Sequence, residues 1–230
     1  FLIQQIRENG GVIVEDCGNS ELLMDDNGEV ITGVQFGQSS FAANLVIVAT
    51  GPDTPKALSM LTGHDFEARF PMTRSPGLLV HTPSCSPRRL ANHILQSPDK
   101  ALFHVRPNSQ GGLLLGADDT DGMVTEESND EEVRRAAAVL LERTREVIPV
   151  FPGAEILDKC TLKVGMRALP QDGNSVIGPI LGVEGLILAM THSGITLAPG
   201  LAKIVAEFVE NGKWPSVLLP FSFDRFQAAS

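Results

Sequence analysis

Two short runs of almost unbroken apolar sequence, LVIVA at residues 45–49 and GLILAM at residues 185–190, constrain this fold more than any other feature. Such runs offer no polar face to water, so each reads as a strand buried on both sides, the usual setting of a parallel strand in an α/β sheet. Both runs end at corners of small residues. The first passes into Thr50-Gly51, where glycine lets another backbone or a ligand come close. The second passes into THSGITLAPG, residues 191–200. Beyond that corner Leu201, Ile204, Val205, Phe208 and Val209 keep the i, i+3, i+4, i+7, i+8 spacing of a helix with one buried face. Pro199 suits the first helical turn and Gly212 suits the stop. A polar corner between the C-terminal end of a buried strand and the start of a helix is where open α/β sheets bind ligands.

The remaining sequence has a different texture. FLIQQIRENGG opens with Leu2, Ile3 and Ile6 already at helical spacing, and Ser, Thr, Asp and Asn are absent from the first eight positions, so no N-cap precedes them. The helix is expected to begin upstream of Phe1 in a longer protein; the alternative is a frayed amphipathic N-terminal helix. GVIVED, residues 11–16, reads as a strand. LLM and EVITGVQF then flank Asn27-Gly28, a strong hairpin signal, and residues 37–39 supply a second turn, which makes a small antiparallel meander.

Between the two apolar runs, FPMTRSPGLLVHTPS reads as strands turning at Ser75-Pro76-Gly77, and KALFHVRPNSQGGLLLG as a hairpin turning at residues 108–112. A helix is predicted from about Asp130 to Ile148, with Ser128 and Glu131 as a capping box and Pro149 as its end. Val133, Ala136, Ala137, Leu140, Leu141, Val147 and Ile148 form its inner face. EILDKCTLKVGMRALPQDGNSVIGPI returns as a long strand, a turn and a short strand. The fold class is therefore α/β with mixed α+β character: the chain leaves a sheet, builds an antiparallel excursion with its own helix, and rejoins the sheet. Residues 1–68 and 173–230 would form one domain and residues 69–172 the other.

Charge narrows the partners. Eighteen Lys plus Arg against 28 Asp plus Glu give a net charge of −10, with no dense basic run, which speaks against nucleic acid and anionic membrane. The three cysteines, Cys17, Cys85 and Cys160, are far apart and form no C-x-x-C, so neither a disulfide framework nor a zinc site is indicated. No apolar run approaches the ~20 residues that span a bilayer, and the first residues do not read as a signal peptide. ADDTDG fails as a calcium loop: with Gly122 at the loop glycine, Ala117 and Ser128 fall on ligand positions they cannot fill. It reads as a solvated acidic turn. His192-Ser193 lacks the G-x-S-x-G frame of a hydrolase nucleophile.

The ordered set VIVATG, RPNSQGGLLLG, GMRALPQDGNSVIGPI, GLILAMTHSGITLAPG and LPFSFDRF resembles the FAD-dependent amine and amino-acid oxidoreductases of the D-amino acid oxidase type, sarcosine and glycine oxidases included. The likeness runs in order over nearly the whole chain. It implies part of a Rossmann-like FAD-binding sheet with an inserted antiparallel-sheet substrate domain. It also implies FAD as cofactor and a small-molecule amine or amino acid as substrate, whose C–N bond is oxidised by hydride transfer to flavin N5. Two alternatives stand beside it: a relative that keeps the fold for binding or assembly without turnover, and a self-contained carboxylate-binding module. The G-x-G-x-x-G turn that cradles the FAD pyrophosphate in this family is absent, and its place would be upstream of Phe1. The chain is thus expected to be a C-terminal portion, inactive alone, whose partner is that N-terminal FAD-binding segment. Localisation stays open, with an intracellular setting favoured.

The resemblance also assigns residues. The loop matching THSGITLAP, with His192, Ser193, Gly194, Ile195 and Thr196, would run past the flavin ring, and the following helix would aim its N-terminus at the N1–C2=O edge. Peptide N–H groups there would stabilise the negative charge of a reduced flavin; the alternative is an N-cap serving only its own helix. Ala49, Thr50 and Gly51 would lie near the FAD ribose and pyrophosphate. Arg167 matches the position that holds the substrate carboxylate, for which a guanidinium offers a planar fork, and would orient the substrate Cα–H over N5. The alternative is a strand arginine paired with an acid such as Asp172. His192 would polarise the flavin or shuttle a proton, or be a hydrogen-bonded structural histidine. Arg106 would face the substrate cavity or brace its strand. Asn19 falls where many relatives place a valine whose backbone meets the adenine. Arg167-Ala168 replaces the usual Arg-Pro, Thr191-His192 replaces Gly-His, and the loop is shorter than in glycine oxidases. These departures leave room for a substrate other than a simple amino acid.

Overall fold

The computed structural model describes residues 1–18, 20–62, 65–73, 75–99 and 101–226. The chain divides into two units, Phe1–Met72 with Ala168–Ser230, and Thr73–Arg167.

In the first unit the two apolar runs meet as expected. Val46–Val48 and Leu186–Met190 pair in parallel, with Leu186 opposite Val46, Ile187 opposite Ile47 and Leu188 opposite Val48. Val176–Pro179 joins the other side of Leu186–Met190 antiparallel, so the sheet is mixed. The central strand is buried except at the half-buried Ala189; Leu186, Ile187, Leu188 and Met190 are no more than 1% exposed. Val46–Val48 does not match the expectation of burial on both faces: as the edge strand it leaves Ile47 43% exposed. Gly185, at the entry to the central strand, has φ +87°, and a Cβ there would stand 2.5 Å from the Asn44 carbonyl oxygen, so only glycine fits.

The meander forms from Ser20–Met24, Ile31–Phe36 and Ser39–Ala42. Its first turn is longer than a bare Asn-Gly hairpin. Asp25 Oδ1 accepts from Glu29 N at 2.9 Å and Val30 N at 3.0 Å, which widens the loop and holds the carboxyl below its usual pKa. Residues 11–16 form no strand. Val12 and Val14 are 80% and 52% exposed, and among the described residues no neighbouring strand pairs with them, so β-branched alternation alone does not make one. The helix Leu2–Glu8 forms with Leu2, Ile3 and Ile6 exposed. After Gly51–Asp53, a 3₁₀ turn, the chain continues as the helix Thr54–Thr62. Leu58, Phe66, Phe70 and Phe223 pack with Val48, Leu186 and Leu188 into this unit's core.

The last helix, Gly194–Asn211, starts earlier than Pro199 suggests, so the proline sits inside it and cannot donate to the Ile195 carbonyl. Gly212 closes it in the left-handed conformation, φ +66°, donating to the Phe208 carbonyl oxygen at 2.8 Å.

The second unit is an antiparallel sheet in the order Thr161–Met166, Pro76–His81, Leu113–Gly116, His104–Pro107, Leu95–Gln96. Strand alternation sends Leu78, Val80, Val105, Leu113, Leu115, Leu162 and Val164 to one face. There they pack on Ala136, Ala137, Leu140 and Leu141 of the helix Asp130–Val147. The same register leaves Gly77, Leu79, His81, His104, Arg106, Leu114, Gly116 and Lys163 on the opposite face.

Several details differ from expectation. Pro76 and Gly77 lie in a strand opposite Met166 and Gly165, because the chain is extended there rather than turned. The capping box is one residue later than Ser128 and Glu131: Asn129 Oδ1 accepts from Glu131 N at 3.0 Å and Glu132 N at 3.1 Å, and Glu132 accepts from Asn129 N at 3.0 Å. Val147 is 53% exposed, since the buried stripe runs through Thr144 to Ile148. Gly153–Lys159 is 3₁₀ helix, so the strand begins only at Thr161. The hairpin turn at residues 108–112 forms as read, its Asn108 Oδ1 accepting from Gln110 N at 3.0 Å and Gly112 N at 2.9 Å.

Candidate functional site

Parallel pairing of Val46–Val48 with Leu186–Met190 brings the C-terminal ends of both strands to one edge of the sheet. The corners at residues 49–51 and 191–194 therefore leave the sheet side by side, the arrangement that makes a ligand crevice in α/β folds. At the first, Ala49 and Thr50 are exposed and Gly51 takes φ +64°. The buried Thr54 donates to the Gly51 carbonyl oxygen at 2.7 Å and accepts from Thr50 Oγ1 at 3.2 Å, fixing the turn.

At the second corner, Thr191 Oγ1 accepts from Ser175 Oγ at 2.8 Å and from Ser193 N at 3.3 Å. Ser193 occupies the N-cap position, yet its side chain caps nothing and instead lies 3.4 Å from Nδ1 of the exposed His192. The first turn carries no acidic residue. Gly194 has only Thr191 Cγ2 near its Cβ position, at 3.9 Å, and Ile195 is 96% exposed. A long helix thus presents an uncapped positive end to open space, which fits a negatively charged group and the close approach of a flat one.

The other group of residues lies in the second unit. Arg167 follows the strand Thr161–Met166, and its backbone N–H donates to the Ser75 carbonyl oxygen at 2.9 Å. Its guanidinium lies across Gly77, where a Cβ would stand 3.0 Å from Nε. Nη2 donates to Asp121 Oδ2, and Nη1 is 3.7 Å from Asp118 Oδ1. Asp121 is buried, and its other oxygen accepts from Leu78 N at 2.6 Å. Burial pushes its carboxyl above the usual range, against the pull of Leu78 N–H and Arg167. The acidic turn is only in part the solvated surface expected: Asp118 and Asp119 are exposed, whereas Thr120 and Asp121 are buried. It is the short helix Asp118–Asp121, whose Asp119 also forks with Arg143 at 3.0 and 2.7 Å. Asp172 is not the partner of Arg167; it is held by Arg225 at 2.6 and 3.2 Å.

Arg106 Nη2 stands 3.3 Å from His104 Nε2, and His104 Nδ1 stands 3.3 Å from the Leu102 carbonyl oxygen. Neutral imidazole protonated on Nδ1 satisfies both contacts. Burial, and less strongly Arg106, holds its pKa below the ordinary histidine value. The ring rests on Gly116, where a Cβ would come within 2.8 Å. Arg106 Nε is buried and has no hydrogen-bond partner among the described residues. Asn19 lies outside the described residues. Sequence reasoning missed Asp121, which stands 46 positions from Arg167 and is brought to it only by the sheet. Among the described residues no group of His, Cys, Asp and Glu is arranged to hold a metal ion, and no helix is long and apolar enough to cross a membrane.

Comparison with known proteins follows the same lines. Residues 1–208 match the family model described as DAO, FAD dependent oxidoreductase. The chain belongs to this family of FAD-dependent oxidoreductases, whose cofactor is FAD. An opine oxidase subunit of Rhizobium meliloti is 30% identical over 54% of this chain and 32% of its own length. Glycine oxidase of Geobacillus kaustophilus is 26% identical over 94% of this chain and 53% of its own. The chain thus spans between about a third and about half of these relatives. In fold it is similar to L-proline dehydrogenase from P. horikoshii, with a TM-score of 0.73 and 18% identity, covering 99% of this chain and 58% of that one.

Proposed function

We propose that this chain supplies the flavin-facing corner and the substrate-carboxylate site of an oxidoreductase that oxidises a C–N bond of an amine or amino acid. The chemistry that FAD would supply when bound is hydride acceptance. The observation that carries the reading is the parallel strand pair that sets residues 49–51 beside an uncapped helix N-terminus at Gly194. Backbone N–H groups of Gly194, Ile195 and Thr196, with roughly half a positive charge at the helix end, would stabilise negative charge on the cofactor. Ser193 belongs to the same contact, and Ala49, Thr50 and Gly51 would meet its ribose and pyrophosphate. Arg167 would hold a substrate carboxylate with the N–H groups that Asp121 leaves unused. His192, exposed beside Ser193, would pass a proton to or from water. The likeness to glycine oxidase supports an amino-acid type of substrate.

Anaerobic addition of amines and amino acids to the FAD-loaded full-length protein tests this. The expected result is loss of the yellow absorbance with at least one of them. Bound flavin that no amine reduces would favour the second reading, a flavoprotein-fold relative acting in binding or assembly. The neutralising pair that Arg167 makes with Asp121 is the observation on that side.

A further inference from the structure

We infer that Asp121 is the positioning residue for Arg167, and that it sets how strongly the site prefers a carboxylic acid to the matching amide. The inference rests on the reading of Arg167 as the carboxylate-binding group. Each oxygen of Asp121 is occupied: Oδ1 accepts from Leu78 N at 2.6 Å and Oδ2 accepts from Arg167 Nη2. A carboxylate bonded at both oxygens cannot turn about its own axis, so it presents Arg167 with an acceptor of fixed direction.

Burial completes the anchor. The Asp121 side chain is 8% exposed, against 51% for Asp118, which stands farther from the guanidinium at 3.7 Å. One strand supplies both halves of the support, since Gly77 gives the flat seat beneath Nε and its neighbour Leu78 gives the N–H that fixes Asp121. Arg167 is itself 33% exposed and, without this hold, would sample the many rotamers open to a long side chain. Held at one edge and seated on one side, it keeps its remaining N–H groups in a single orientation, which is the condition for recognising a planar acid. The Asp121 charge also offsets that of Arg167. Selectivity in this site therefore comes from direction rather than from net charge.

The test uses the FAD-loaded full-length protein and three acids, glycine, N-methylglycine and iminodiacetate, each beside its carboxamide. Binding is followed by the change in the flavin visible spectrum, and turnover by anaerobic flavin reduction. Asp121→Asn keeps an acceptor for Leu78 but turns an amide against Arg167. It is expected to cut the preference for acid over amide at least tenfold, with little change in the amide's own binding. The same substitution is expected to have almost no further effect in an Arg167→Lys background, because coupled residues are non-additive. Asp121→Glu, which keeps the negative charge but moves the carboxylate by one methylene, is expected to lower the preference several-fold, and an undiminished preference in it overturns the inference where Asp121→Asn fails to fold. Undiminished preference in Asp121→Asn, equal losses for acid and amide, or full additivity with Arg167→Lys would overturn the inference alone. A wild-type protein that makes no distinction between acid and amide overturns the reading of Arg167 and the inference with it.

Discussion

Asp119 and Asp121 stand two positions apart and obey opposite electrostatics. The Arg143 fork holds the Asp119 carboxyl below 3.8, whereas burial lifts that of Asp121 above it. For Asp119 the stabilisation is complete above the unfolded value of 3.8 and is lost as pH falls through the lower folded one. Asp121 runs the other way: its contribution is present below 3.8 and is lost as pH rises through the raised value. Asp119→Asn should cost about 1 kcal/mol at pH 7, discounted for partial exposure. That deficit should shrink toward zero as pH drops below 3.8, which urea unfolding of the variant and wild type at pH 7 and at acid pH would check. Neither ion pair was legible beforehand. Arg143 and Asp119 are 24 positions apart and Arg167 and Asp121 are 46 apart, beyond any local spacing rule. Asp172 looked a natural partner for Arg167 because it was close in sequence, but Arg225, 53 positions away, takes it.

At the level of elements, legibility followed the strength of the local pattern. The runs at residues 45–49 and 185–190 could be recognised as partners because sequences with no polar face have few places to go. The meander and the hairpin at residues 108–112 carried glycine and asparagine at their turns. The helix Asp130–Val147 starts where it was expected, but its capping box was displaced by one residue because Ser128 and Asn129 are both good caps and each has a Glu three positions on. Ser128 instead accepts from Thr125 N at 2.9 Å. Asn129→Ala should therefore lower stability by about 1 kcal/mol, and Ser128→Ala by less, as read from thermal unfolding of the two variants. The strand expected at residues 11–16 failed for the complementary reason. β-branched residues favour a strand only where a neighbour takes up the backbone hydrogen bonds, and Val12 and Val14 have none among the described residues.

For the molecule as a whole, the order of excursion and return was readable because the second run could complete the first only by pairing with it in parallel, and that pairing is observed. The internal placement of Arg167 was not, since it depends on a buried acid in a turn that composition alone marks as solvent-facing. What the fold contributes to function, on the proposed reading, is a fixed positive potential at Gly194 that steadies negative charge on FAD. The most direct measurement is the FAD midpoint potential of the full-length protein with and without Ile195→Asp. The new carboxylate stands at an exposed helix N-terminus, where it favours the helix. It should still oppose reduction of the cofactor, shifting the two-electron potential to a more negative value by on the order of 20 mV, equivalent to roughly 1 kcal/mol. An unchanged or raised potential, or a protein that takes up no FAD, would contradict the assignment of this corner to the flavin.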